Sequence, residues 1–214
     1  MIEPTRLVVI RHGETAWNVE QRIQGQLDIG LNERGRWQAA QLAAALADEG
    51  LAAVYSSDLQ RAAATAAAVA GAAGVAVVHD TGLRERGFGV FEGATFREVE
   101  RRWPDDARRW RVREPGFAPG GGEPLAAFYE RSVATASRLA ARHAGEAIAL
   151  VAHGGVLDCL YRAAARIALD APRTWQLGNA SINRLLFAEG ELVLVGWNDS
   201  GHLEVAAGDS AEAG

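Results

Sequence analysis

The chain contains no lysine: all 22 cationic residues are arginine, set against 27 Asp plus Glu for a formal net charge of -5. Schiff-base catalysis, covalent pyridoxal phosphate attachment, Ser–Lys dyads and lysine-bearing phosphate loops are thereby excluded. Arginine cannot replace lysine in those roles, because its guanidinium stays protonated. It does hold carboxylates and phosphates through two parallel hydrogen bonds. Cysteine is almost absent as well. Cys159 stands alone, which rules out an internal disulfide and a cysteine-rich zinc site. No apolar run approaches the roughly 18 residues of a membrane span. The apolar run from Leu7 to Ile10 is four residues long, well short of a signal-peptide core of about 7–15. A cytoplasmic location with no membrane partner is the expectation. The negative charge argues against nucleic acid as a partner. No carboxylate cluster suits a dedicated metal site, so neither metal nor cofactor is expected.

What is present describes a globular chain. At 214 residues with 49% apolar content, one domain over 1–206 is expected, followed by a small, polar, flexible tail at 207–214. Alanine supplies 43 residues, mostly in helix-like runs. Leu7–Ile10, Ala53–Ser56, Val75–Val78 and Ala147–Ala152 read as short buried strands. Helices are expected from Asn32 (as cap) to Ala47, from a cap at Asp58 to about Ala72, from Leu125 to Arg142, and from Gly154 to about Leu169. Gly74 marks the end of the second of these. Two further helices are expected at Thr95–Trp103 and Asp105–Arg111. Ile182–Phe187 and Leu192–Trp197 suggest a closing antiparallel pair turned at Gly190. The class is α/β, a three-layer sandwich with a mainly parallel central sheet flanked by helices.

In such sheets ligands sit beyond the carboxyl ends of the strands. Two of those exits carry histidine. Arg11-His12-Gly13-Glu14-Thr15 follows the first strand, and His153-Gly154-Gly155 follows the fourth. Arg61 lies near the start of the helix after Ser56-Ser57-Asp58. Glu85 lies beyond the third strand, with Glu14 and Glu92 as nearby carboxylates of the same type. Read singly, Arg11 and Arg61 are surface cations and His153 is structural; only their shared placement at strand exits lifts them. His79, His143 and His202 stand in no motif and are read as non-catalytic. Cys159 is read as a small buried apolar group.

From Arg6 to Trp197 the chain resembles the histidine phosphatase superfamily, whose fold is phosphoglycerate-mutase-like. The likeness rests on ordered blocks: R-H-G-E-T with Trp17-Asn18, Gln24-Gly25, Ser56-Ser57-Asp58-Leu59 with Arg61-Ala62, and Leu83-x-Glu85 with Phe88-Gly89 and Glu92-Gly93. Gly121-Gly122-Glu123, His153-Gly154-Gly155 and Asn179-x-Ser181 complete it. The resemblance implies that His12 is the nucleophile and becomes a phosphohistidine. It implies that Arg11, Arg61 and His153 surround the transferred phosphoryl group. Asn18, Gln24, Gly25 and Gly154 are then further contacts to substrate. Glu85, favoured over Glu14 and Glu92 by this pattern, is the general acid and then the base.

The chemistry is coherent without the name. Phosphoryl transfer is mostly positioning plus stabilisation of charge on the equatorial oxygens. Arginines and a charged histidine can supply that. An attacking imidazole splits one hard step into two easier ones. The expected activity is therefore metal-independent hydrolysis of a small phosphorylated metabolite. The alternatives are a 2,3-bisphosphoglycerate-dependent phosphoglycerate mutase, and a binding module that recognises phosphate without turnover. The segment between Glu85 and Gly120 looks too short for a full mutase insert, and a more open site favours water. Pro124 and Phe91 depart from the serine and tryptophan frequent in the family. Base rates make a homodimer the assembly to test. Arg11 and Arg61 are expected to need the planar fork. Most other arginines are expected to accept lysine, with the solvated Arg101, Arg102, Arg108 and Arg109 first.

Overall fold

The structure, a computed structural model, describes residues 3–204; the expected tail at 207–214 lies outside the described residues. In chain order the elements are β1 (Thr5–Arg11), α1 (Ala16–Val19), α2 (Glu33–Leu46), β2 (Leu51–Ser56), α3 (Gln60–Ala73), β3 (Val77–His79) and α4 (Phe96–Arg102). They continue with α5 (Pro104–Arg111), α6 (Leu125–Ala140), β4 (Ala147–Ala152), α7 (Gly154–Ala165), β5 (Ile182–Ala188) and β6 (Glu191–Asp199). The sheet runs β3-β2-β4-β1-β5-β6. The first four of these are mutually parallel, and β5 and β6 add antiparallel pairings.

The central strands are apolar at successive positions because both of their faces are covered. Leu7, Val9, Ile148 and Leu150 pack against α6 and α7 through Phe128, Leu139, Val156 and Leu160. Val8, Ile10, Ala149 and Val151 point the other way, onto Leu42 and Leu46 of α2 and Ala62, Ala66 and Val69 of α3. The expected three layers follow from this alternation. A third, smaller core lies apart: Phe91, Val99, Ala107 and Phe117, with Phe88, Trp103 and Trp110 against it. It glues α4 and α5 into a hairpin, started at Thr95 by a capping box with Glu98.

Local signals performed well where they were self-contained. Asn32 caps α2 by accepting from Gly35 N at 2.7 Å. Gly74 ends α3 in the left-handed region at φ 69. Asp58, however, does not cap α3. Its carboxylate is committed to both the Nε and Nη2 of Arg84, and Asp28 accepts from Gln60 N at 2.7 Å instead. β3 is shorter than expected, since only Val77–His79 has a partner on β2. α7 stops at Ala165 because Arg166 turns left-handed at φ 55. No glycine announced that end.

Candidate active site

Register, rather than any single motif, assembles the site. β1 and β4 are neighbours with Arg11 opposite Ala152. The next residue on each strand is a histidine, and His12 N donates to Ala152 O at 3.0 Å. The two imidazoles end with centroids 5.2 Å apart. On the far side of β4, Ser57 N donates to Val151 O at 3.0 Å, which brings the exit of β2 into the same edge.

His12 is buried, and its Nδ1 lies 2.7 Å from the carbonyl of Gly13. A carbonyl only accepts, so this contact assigns the proton to Nδ1 and the lone pair to Nε2. Burial first, then the charges of Arg61 and Arg11, hold the His12 pKa well below 6.5. The ring is therefore neutral and nucleophilic at neutral pH. His153 is fully buried, with Nε2 2.9 Å from Ser57 Oγ. Burial and then Arg61 push its pKa well below 6.5 as well. The expectation of a charged histidine is corrected here: beside two arginines and out of water, His153 is uncharged.

Arg61 is a fully buried arginine whose Nη1 and Nη2 donate to Leu27 O at 2.8 Å and Gly25 O at 2.7 Å. Arg11 donates Nη1 to Leu177 O, and burial brings its pKa down to about 10. It remains cationic at neutral pH. The Nε groups of Arg11 and Arg61 and the Nδ1 of His153 are buried without a partner among the described residues. Leaving such a group unsatisfied costs about 1–3 kcal/mol. The arrangement is therefore favourable when an oxyanion accepts from these groups.

The three candidate carboxylates separate cleanly. Glu14 accepts from Asn32 Nδ2 at 2.9 Å. Glu92 accepts from Gln26 N at 3.0 Å and Phe88 N at 2.9 Å, organising a loop. Glu85 alone of the three lines the cavity. Its oxygens accept from Gly155 N at 3.0 Å and Arg86 N at 2.8 Å. Glycine at 155 leaves room for this seat, because a Cβ there would lie 2.2 Å from Glu85 Oε1 and displace the carboxylate.

A cavity of about 180 Å³ is lined by Arg11, His12, Asn18, Gln24, Gly25, Arg61, Glu85 and Gly154, joined by Arg22, Ile23, Phe88 and Trp110. His153 lies beneath it, fully buried. Asn18 Oδ1 is already engaged by Thr15 N at 3.0 Å and Asn179 Nδ2 at 3.2 Å, so its amide NH₂ is the group left to donate. Gly25 contributes through its carbonyl, which aims Arg61. His79, His143 and His202 do not line the cavity. Sequence reasoning missed Ser57, Arg22 and Trp110 as site residues. Ser57 sat inside a quoted motif with no role attached. Trp110 carried no signal, because only the third core places α5 over the cavity. Among the described residues, no cluster of three His, Cys, Asp or Glu side chains is placed to hold a metal ion, and no helix is long and apolar enough to cross a membrane.

A parallel-centred α/β sandwich with paired histidines at adjacent strand exits is a phosphoglycerate-mutase-like protein. The chain belongs to the histidine phosphatase superfamily (branch 1), whose description matches residues 7–200. It is 37% identical over 207 residues to phosphoglycerate mutase-like protein 4 of Arabidopsis thaliana, covering 95% of this chain and 89% of that protein. It is 36% identical to a metal-independent phosphoserine phosphatase of the same plant, over 94% of this chain and 84% of that protein. Among solved structures, a mycobacterial glucosyl-3-phosphoglycerate phosphatase superposes with a TM-score of 0.83 at 34% identity, covering 92% of this chain and 100% of that one.

Proposed function

We propose that this chain is a metal-independent phosphomonoesterase that cleaves a small phosphorylated metabolite through a phosphohistidine. One observation carries the reading: a neutral imidazole with a free Nε2 stands amid buried, unpartnered donors of Arg11, Arg61 and His153. Phosphatase names among the relatives support it.

The phosphoryl group binds with its equatorial oxygens accepting from Arg11, Arg61, His153, Asn18 and Gln24. His12 Nε2 attacks phosphorus, and the bond to the alcohol oxygen breaks. The departing oxygen takes a proton from Glu85. A phosphomonoester, whose second ionisation lies near pH 6, carries that proton in. Water then attacks the phosphohistidine, gives a proton to Glu85, and releases inorganic phosphate with His12 regenerated. The arriving anion also offsets the repulsion from Arg61 that, after burial, lowers the His153 pKa.

Purified protein in excess chelator should release phosphate from a panel of small phosphomonoesters. His12→Ala should abolish release. Absence of turnover in the wild type, or full retention in the variant, rejects the proposal. A bisphosphoglycerate-dependent mutase would use the same residues. A coupled assay with 2,3-bisphosphoglycerate separates them, and mutase turnover well above hydrolysis would reverse the ranking.

A further inference from the structure

Arg11 does not face the catalytic cavity alone. A second cavity of about 550 Å³ lies against it, lined by Arg11, Gly154, Arg173, Trp175, Gln176 and Leu177, with Gly155 and Gly178 completing it. Arg11 and Gly154 are common to both cavities, so the two share a wall. The Leu177 carbonyl that accepts from Arg11 Nη1 ties the segment carrying Arg173 to that wall.

The charges of this second cavity are one-sided. Arg11 and Arg173 line it and no carboxylate does. Arg173 is exposed, yet close enough to Arg11 to disfavour the charge there, a smaller effect than the opposing one of Glu85 across the shared wall. Nearby arginines are matched: Arg113 and Arg162 both pair with Asp158, at 2.6 and 3.0 Å. Arg173 has no such partner among the described residues. Two like charges facing one cavity without an acid between them repel, and an anion placed there relieves the repulsion.

We propose that the second cavity is an oxyanion subsite, which binds a phosphate or carboxylate group between Arg173 and Arg11. The proposal rests on reading the neighbouring cavity as the phosphoryl site. Its anion has two sources of the same chemistry: a second anionic group on the substrate, reaching past Arg11, or inorganic phosphate after release. In the first case Arg173 selects doubly anionic substrates. In the second it holds product beside the reaction centre.

The test compares wild type with Arg173→Gln and Arg173→Glu on three ligands. These are p-nitrophenyl phosphate (one anionic group), 3-phosphoglycerate (two), and inorganic phosphate as inhibitor. With p-nitrophenyl phosphate, kcat and KM should not change. A KM for 3-phosphoglycerate raised at least about threefold, more so in Arg173→Glu, supports the subsite with substrate as its source. An inhibition constant for phosphate raised to the same extent supports it with product as the source. Elevated salt should shrink either effect. Unchanged behaviour toward both ligands overturns the proposal. So does an equal loss on all three, which is a bulk electrostatic effect. If wild type hydrolyses nothing, the phosphatase reading fails separately. The subsite is then read by phosphate titration: two sites in wild type and one in Arg173→Gln support it, and one site in wild type overturns it.

Discussion

Ser57 Oγ stands 2.9 Å from His153 Nε2, joining residues 96 positions apart across two strand exits. The hydroxyl fixes the ring, while the opposite nitrogen is buried without a partner among the described residues and is the donor proposed for the phosphoryl group. Ser57→Ala should lower kcat/KM about tenfold, the equivalent of roughly 1.4 kcal/mol of lost positioning. The thermal midpoint should drop by only about 2–4 °C, the scale expected for 1 kcal/mol in a chain of this size. Steady-state kinetics and a melt of the same sample check both numbers. A large melt shift with unchanged kinetics would assign Ser57 a purely structural role.

Arg61→Lys keeps the charge and should still fail. A single ammonium nitrogen lacks the planar spread by which Nη1 and Nη2 reach Leu27 O and Gly25 O while Nε is left over. Removing one partner of such buried bonds costs about 1–3 kcal/mol each. kcat/KM should fall at least about 100-fold, and the melting temperature should fall too. Arg101→Lys and Arg102→Lys, on the exposed face of α4, should leave both unchanged.

The tolerance of other arginines is narrower than sequence reasoning expected. Arg86 donates to Glu123 O at 2.9 Å and Phe117 O at 2.7 Å, and Arg131 grips Glu123 through Nε at 2.9 Å and Nη2 at 2.8 Å. Arg162 is fully buried against Asp158. Each uses the fork. Lysine at 86, 131 or 162 should lower the melting temperature, with 162 the most severe, because a broken buried pair costs roughly 3–5 kcal/mol. Calorimetry of the three variants ranks them.

Acid should destabilise the fold in a defined window. His12 and His153 both have pKa values well below 6.5, chiefly through burial. As pH falls below about 6.5, the unfolded chain takes up two protons that the native site refuses. Stability then declines by up to about 1.4 kcal/mol per pH unit for each histidine. Above that value these residues make no pH-dependent contribution. Denaturant titrations from pH 7.5 to 5 should show the slope, and His12→Gln should roughly halve it. The same depression keeps His12, the proposed nucleophile, neutral in mild acid, so activity should persist there.

Gly155→Ala tests the seat of Glu85. The new methyl meets Glu85 Oε1 and stands 3.0 Å from Phe128. The carboxylate must swing away, so kcat should fall at least about tenfold with activated and unactivated leaving groups affected unequally. A p-nitrophenyl ester, whose leaving oxygen needs little protonation, should lose least. Equal losses across leaving groups would argue against Glu85 as the proton donor.

Much was legible before any coordinates. The strand cores, the Asn32 cap, the Gly74 stop and the helical hairpin at 95–111 are written in neighbouring residues, where periodicity and capping act over a turn or two. The placement of His12 and His153 at strand exits was legible too, from the buried runs before them, and the two rings do meet. Asp58 misled because its choice between capping and ion pairing depends on Arg84, which only the fold brings within reach. Trp110 was silent because its position follows from the separate aromatic core.

By itself the sequence determined the kinds of group available: arginine for every cation, no lysine, one cysteine, two histidines each placed one residue past a buried strand. Tertiary structure decided which of these meet. β1 lies beside β4 and β4 beside β2, since that order lets the strands bury both faces under helices. That burial, summed over distant segments, sets His12 against His153 and strips both of water. Proximity and desolvation are properties of the packed molecule, and they turn ordinary side chains into the proposed phosphoryl site.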